Sequence, residues 1–399
     1  MTKIQILLSN IIITISIVFA FFFLTQKGLL FTISNTSNFG SIDTIYIENV
    51  NSSRETLNES ITNSRNTIIT NTVKNVSPAV VGISVKELRQ YQYNSPFNNH
   101  PFWKHFFGSQ VYNKEISGLG SGAIISSDGY IITNDHVAGT ADEITVTMSN
   151  GKHYKAEKVG TDLTSDICLL KINANDLPYI PLGNSDEILI GEWVVALGNP
   201  FGLFDVSEKP TVTVGVISAA GMNLSPVDNR YYIDMIQTDA SINQGNSGGP
   251  LVNSVGELIG MITLIWTAQG SSGNVGVGFA IPSNKLNKVV NELKEKGIFQ
   301  RDYWTGLRIH SIDDGIAKYY KLTDKRGVIV TDVIANSPAQ KAQLEPGDII
   351  KKINDLEIDS YETLKGVLQN YKTGETIKIG ILRNSKPLLK TMKLEKRNF

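Results

Sequence analysis

The sequence predicts an all-β body, a barrel or sandwich, over roughly residues 75 to 280, followed by a smaller α+β unit. Two observations carry this reading. Short β-branched runs recur between glycine turns, as in GSGAIISSDGYIITNDHV, DICLLKI, WVVALGNP, TVTVGVISA and ELIGMITLI. No helix-length apolar period interrupts them. A chain of 399 residues, 41% hydrophobic and 19% charged, has room for two or three domains with real cores. The net charge of -1 and the lack of a basic stripe give no electrostatic reason to expect a nucleic-acid partner.

The elements follow in order. Ile6 to Leu24 carries no charge, sits between Lys3 and Lys27, and is long enough to span a bilayer. No Ala-x-Ala follows Leu24, so residues 1–27 read as an uncleaved membrane anchor in preference to a cleaved signal peptide. Residues 28–66 are rich in Asn, Ser and Thr. Their few apolar side chains cannot offset the entropy of ordering, so they read as a polar linker.

The β body, residues 67–298, contains IISSDGYIIT, a hairpin with Asp128-Gly129 at its tip. The segment YNSPFNNHPFWKHFFG (93–108) is aromatic without a strand period. It reads as a surface loop or as a contact between copies, since bare aromatics invite aggregation. The lone Cys168, flanked by Ile167 and Leu169, reads as a small buried hydrophobe. After Pro282, SNKLNKVVNELKEKG reads as one amphipathic helix with Ser283 as N-cap and Gly297 as its stop. Residues 299–399 form the α+β unit.

One stretch, QTDASINQGNSGGPLV (237–252), holds more glycine than a strand tolerates. It is either a tight exposed turn or a turn whose backbone must approach a substrate. Nucleophilic catalysis by serine needs a base, an acid to orient that base, and donors for an oxyanion. His136 in ITNDHVAG lies just after a strand, where a loop can present it. Asp166 in TSDICLLKI precedes a strongly apolar strand, at the edge of a core. Ser247 stands in the glycine turn. Each alone reads as an ordinary loop residue. Together they occur in the order His, Asp, Ser, one of the known chain orders for this triad. No metal and no cofactor is expected.

These pieces, with ALGNPFGL, IQTDASINQGNSGGPLVN, VGVGFAIP and GVIVTDVIANSPAQKAQLEPGDIIKKIND, resemble the HtrA (Deg) family of trypsin-like serine proteases with PDZ domains. The resemblance covers about residues 70–399. It implies a chymotrypsin-like double β-barrel with His136, Asp166 and Ser247 in the cleft, then a small α+β PDZ domain. The oxyanion donors would be the amides of Gly245 and Ser247, with Asn246 between them. Asn246 stands where digestive trypsins carry Asp, so activation is expected to be conformational. Ile242, Thr263, Leu264 and Ile265 would line S1, with Ser241 at its floor, implying cleavage after small or medium aliphatic residues. Tyr303, Trp304, Thr305 and Gly306 would offer amides to a peptide C-terminus. The strand from Leu307 would be extended by the peptide, beside a helix carrying Leu364, Val367 and Leu368.

The resemblance further implies a periplasmic homo-oligomer, a trimer or multiples of it, that cleaves unfolded, damaged or regulatory proteins under control of the PDZ domain. The alternative is a chaperone or peptide-binding module with little proteolysis. One departure concerns signal relay. Family members carry Arg just after the glycine that follows VISA; here Met222 stands there, and Arg230 is the candidate substitute.

Overall fold

The computed structural model describes residues 64–92, 111–199, 204, 209–243, 245–265 and 275–397. The expected anchor at 1–27, the linker up to residue 63 and the aromatic segment 93–108 lie outside them. Among the described residues no helix is long and apolar enough to cross a membrane.

The first barrel is built from β1 (Val80–Gln92), β2 (Val111–Ile124), β3 (Tyr130–Thr133), β4 (Glu143–Met148), β5 (His153–Asp162) and β6 (Ile167–Ile172), closed in the order β1-β2-β3-β6-β5-β4. Ile83, Ile124, Ile131, Ile132, Leu169 and Leu170 belong to one buried core and are at most 1% exposed. Each such side chain contributes about 1.5–3 kcal/mol by leaving water. Closure leaves this sheet without an edge. Gly129 turns the β2–β3 hairpin at φ 98°, as its sequence requires.

The second barrel comprises β7 (Trp193–Gly198), β8 (Thr211–Met222), β9 (Met235–Thr238), β10 (Pro250–Asn253), β11 (Leu258–Ile265) and β12 (Gly278–Pro282), ordered β10-β11-β12-β9-β8-β7.

Three local details depart from the sequence reading. Ile68–Val76 forms a helix, α1, capped by Thr67, whose side chain accepts from Thr70 while Thr70 returns a bond to the Thr67 amide. Its β-branched residues hide it from a propensity reading. His136 lies in a one-turn helix, α2 (Asp135–Ala138), instead of an open loop. In α3 (Ser283–Lys296), Ser283 is the first helical residue and not the cap. Its hydroxyl is taken by the Gly183 carbonyl at 2.7 Å, so Pro282 occupies the cap position. Gly297 ends α3 in the left-handed region, as expected. Leu286, Val289 and Leu293 bury the inner face of α3 in the protease core.

The C-terminal unit begins with β13 (Tyr303–Trp304) and β14 (Leu307–Ser311). α4 (Asp314–Tyr319), β15 (Val328–Val333), α5 (Pro338–Lys341), β16 (Ile349–Ile353) and β17 (Leu356–Glu357) follow. α6 (Tyr361–Leu368), β18 (Thr376–Arg383), β19 (Lys386–Lys393) and β20 (Glu395–Lys396) complete it. The main sheet runs β14-β15-β16-β18-β19, and Leu364 and Val367 of α6 enter its core.

This unit is fastened to the protease. Arg301 makes a two-pronged bridge to Asp162 at 2.6 and 2.7 Å, and Lys288 pairs with Glu375 at 2.9 Å. Ile233, from the loop between β8 and β9, is 2% exposed within the C-terminal unit's own core.

Candidate active site

Asp166 caps a short 3₁₀ turn (Leu163–Ser165) in the left-handed conformation, φ 59°, which aims its carboxylate back toward α2. Asp162 holds that turn by accepting from the Ser165 amide at 3.2 Å. The Asp166 carboxylate is fully buried. It accepts from the His136 backbone amide at 3.0 Å and meets His136 Nδ1 at 2.9 and 3.0 Å. The Thr263 hydroxyl donates to Oδ2 at 2.6 Å, and Tyr232 donates to the same oxygen at 3.3 Å. Burial alone would raise this carboxyl. The His136 and Thr263 hydrogen bonds and the His136 charge outweigh it and hold Asp166 below the ordinary carboxylate value. An ionised acid fixed on Nδ1 leaves Nε2 as the free nitrogen of the ring.

The glycine turn comes from the second barrel and docks on the first. Ser121 of β2 organises that contact. Its amide donates to the Ser247 carbonyl at 2.9 Å and its hydroxyl to the Gly245 carbonyl at 2.6 Å. Gly248, at φ 85°, lies so close to the Ser121 carbonyl and the Thr133 hydroxyl that a Cβ would collide with both. The turn is therefore glycine-rich because a neighbouring backbone leaves no room, and because its dihedrals exclude other residues. The Asn246 amide is spent inside the turn, on the Asn243 carbonyl at 3.0 Å. The Gly245 and Ser247 amides make no hydrogen bond to other described residues.

His136, Gly245 and Ser247 line one cleft of about 310 Å³, together with Gly118, Leu119 and Val137. The Ser247 hydroxyl rests on the Thr263 carbonyl at 3.4 Å. Thr263 thus touches both the acid and the serine. Its side chain is turned to Asp166, so it supports the acid, a role that the S1 reading of its sequence position did not include. Ile242 likewise belongs to the core of the second barrel, 1% exposed. The backbones of Leu264 and Ile265 pair with Phe279 and Gly278 in β11–β12, and their side chains lie outside the described residues.

Sequence reading missed Ser121, Thr263 as a partner of Asp166, and Tyr232. Only Ser121, set between Gly120 and Gly122, had a local signal. Arg230, noted only as a substitute for the absent arginine, reaches the acid itself: its Nε lies 3.2 Å from Asp166 Oδ1, and an Nη donates to Asp135 at 2.7 Å. Cys168 is fully buried, and burial pushes its thiol up to about 12, so it is chemically quiet.

In the C-terminal unit, Tyr303, Trp304, Thr305, Gly306 and Leu307 come together along one groove of about 380 Å³, faced by Lys365 of α6. Gly306 turns at φ 75° against Ser337, whose Cβ would meet any added side chain. The Tyr303 hydroxyl donates to the Leu368 carbonyl, tying the loop to α6.

A double barrel that sets a buried carboxylate–imidazole pair beside a serine turn defines a trypsin-like serine endopeptidase, here followed by a PDZ domain. Residues 120–261 match the trypsin-like peptidase domain family and residues 305–394 the PDZ domain family. A probable periplasmic serine endoprotease, DegP-like, from Hahella chejuensis is 40% identical over 324 residues, covering 79% of this chain and 67% of the relative. The protein of the same name from Marinomonas sp. is 41% identical over 345 residues, with 82% and 71% covered. The solved HtrA-type protease AlgW with decapeptide matches at TM-score 0.59 and 34% identity, over 82% of this chain and 98% of that one. The chain belongs to the HtrA-type, DegP-like family of periplasmic serine endoproteases.

Proposed function

We propose that Ser247 attacks the scissile carbonyl, that His136 takes its proton and returns it to the leaving amine, and that Asp166 orients the imidazole. The observation that carries this is the His136–Asp166 pair opening on the same cleft as Ser247. The Ser247 hydroxyl leaves the Thr263 carbonyl by rotation about χ1 and turns to Nε2. The tetrahedral oxyanion is received by the Gly245 and Ser247 amides, fixed dipoles that need no reorganisation. Water then repeats the sequence on the acyl-enzyme.

Cleavage falls after small or medium aliphatic residues. This reading rests on the absence of an acidic side chain where Ser241 stands, and on Leu264 and Ile265 following Thr263. The substrates are unfolded or regulatory proteins of the periplasm, met by a homo-oligomer held at the membrane through residues 1–27.

The PDZ groove captures a free peptide C-terminus on the amides of Tyr303 to Gly306 and adds the peptide to β14. The bound peptide favours the competent glycine turn, a shift between two populations. The physical route runs through the β8–β9 loop. Tyr231 and Ile233 pack on α6, where a Cβ on Gly366 would meet Ile233 at 2.6 Å, while the alternate residues Arg230 and Tyr232 face Asp166.

Casein digestion analysed by mass spectrometry tests the whole reading. Cuts after Val, Ala or similar residues, absent with Ser247→Ala, are expected. A majority of cuts after Lys or Arg would refute the specificity, and undiminished turnover by Ser247→Ala would refute the nucleophile.

A further inference from the structure

Two carboxylates flank His136. Asp135, its neighbour in α2, is 3% exposed, and Asp166 is fully buried. The Asp135 carboxylate accepts the Thr161 hydroxyl at 2.6 Å and packs against Gly139, where a Cβ would overlap it. It cannot swing out to water. Between the two acids stands Arg230, whose side chain is 15% exposed. One Nη donates to Asp135 Oδ2 at 2.7 Å, and Nε lies 3.2 Å from Asp166 Oδ1, an ion-pair contact without hydrogen-bond alignment. Among the described residues no other Lys or Arg pairs with either acid.

We propose that Arg230 is a positioning residue of the active site: by bridging Asp135 and Asp166 it places a cation between the two acids that flank the catalytic histidine and offsets the repulsion between them. The proposal rests on the reading of His136 and Asp166 as the catalytic pair. Both carboxylates touch the same guanidinium away from water, and buried like charges repel unless a cation stands between them. Without the guanidinium, that repulsion falls on the acid that must hold His136 Nδ1, and the triad fails from the acid side. Burial lowers the Arg230 guanidinium's affinity for its proton. The Asp135 hydrogen bond and the charges of Asp166 and Asp135 more than reverse this, as expected of a cation held between two acids.

The other groups facing this cluster have contacts that do not involve Arg230. Tyr232 donates to Asp166 from the same loop, and Thr161 of β5 and Thr263 of β11 donate to Asp135 and Asp166. Lys158 of β5 is engaged by the Gly139 carbonyl at 2.7 Å. Asp162 is engaged by Arg301, and Lys285 of α3 lies near enough to interact with Asp162 and Asp166. His136 itself bonds Asp166.

The test is kcat/KM against pH, on a chromogenic peptide that the full-length protein cleaves. In Arg230→Met the acid limb should move up by about one pH unit, with the plateau above it largely kept. Arg230→Lys should restore part of the shift. The decisive variant is Arg230→Met/Asp135→Asn. It removes the second carboxylate but keeps an acceptor for Thr161, and it should bring the limb back toward the parent. A loss by the same factor at every pH, or no return in the double variant, overturns the proposal. If Arg230→Met does not fold by near-UV circular dichroism, Asp135→Asn alone decides. It leaves the guanidinium to Asp166 alone and should move the limb to lower pH; an unmoved limb overturns the bridge. Asp166→Asn separates the two levels. Full activity there refutes the catalytic pair, whereas loss of activity with an unshifted Arg230→Met limb refutes only the role of Arg230.

Discussion

Thr263 donates its hydroxyl to Asp166 at 2.6 Å while its carbonyl accepts the Ser247 hydroxyl at 3.4 Å. One residue thus holds the acid and parks the serine. A buried carboxylate that loses such a donor is left under-solvated, at a cost of about 1.5–3 kcal/mol. Thr263→Val should therefore lower kcat roughly 10- to 100-fold, with Thr263→Ser close to the parent. The sign in pH follows from the depressed folded value. Asp166 contributes stability above its ordinary value of 3.8, and this is lost as pH falls through the lower folded value. Thr263→Val should move that loss to higher pH, as read by thermal unfolding across the acid range. Equal kcat and an unchanged acid limb in Thr263→Val would show that the contact supports neither.

Lys285 provides an alkaline counterpart. Burial pushes its ammonium down to about 8 from 10.5, against the opposing charges of Asp162, Asp234 and Asp166. Below pH 8 the folded protein carries this charge at a cost. Between 8 and 10.5 the unfolded chain binds the extra proton, so stability rises with pH. Lys285→Met should be more stable than the parent at pH 7, and the difference in Tm should shrink as pH rises through that window. A difference that does not change with pH would contradict this.

Gly366 tests the link between groove and cleft. A Cβ there would meet Ile233 Cγ1 at 2.6 Å, Cδ1 at 2.7 Å and Tyr231 Cδ1 at 3.2 Å. Gly366→Leu should push α6 off the β8–β9 loop and uncouple peptide binding from proteolysis. Titration to saturation with a peptide ending in a free hydrophobic carboxylate should show binding but a lost or altered activity response. An unaltered response would separate that loop from the signal.

The features legible in the sequence were those written locally. The Asp128-Gly129 hairpin, the glycine stop of α3 and the run Tyr303 to Leu307 each combine a backbone demand with residues that meet it. His136, Asp166 and Ser247 were found because serine chemistry needs those three residue types in that order. What escaped depends on contacts far apart in the chain. Thr263 reads as one more strand residue until β11 is laid beside the 162–166 turn. Arg230 reads as the one cation of a polar loop until the loop folds back over Asp135 and Asp166. The contact of Thr263 with Asp166 escaped for the same reason: strand alternation gives two faces, and only the closed barrel decides which one meets the acid.

The central claim is that Ser247, activated by His136, is the nucleophile. Labelling with a fluorophosphonate probe, followed by peptide mass spectrometry, tests it directly. The account predicts one adduct, on Ser247, formed by the parent protein and strongly reduced in His136→Ala. An adduct on another serine, or labelling of Ser247 at the same rate in His136→Ala, would contradict it.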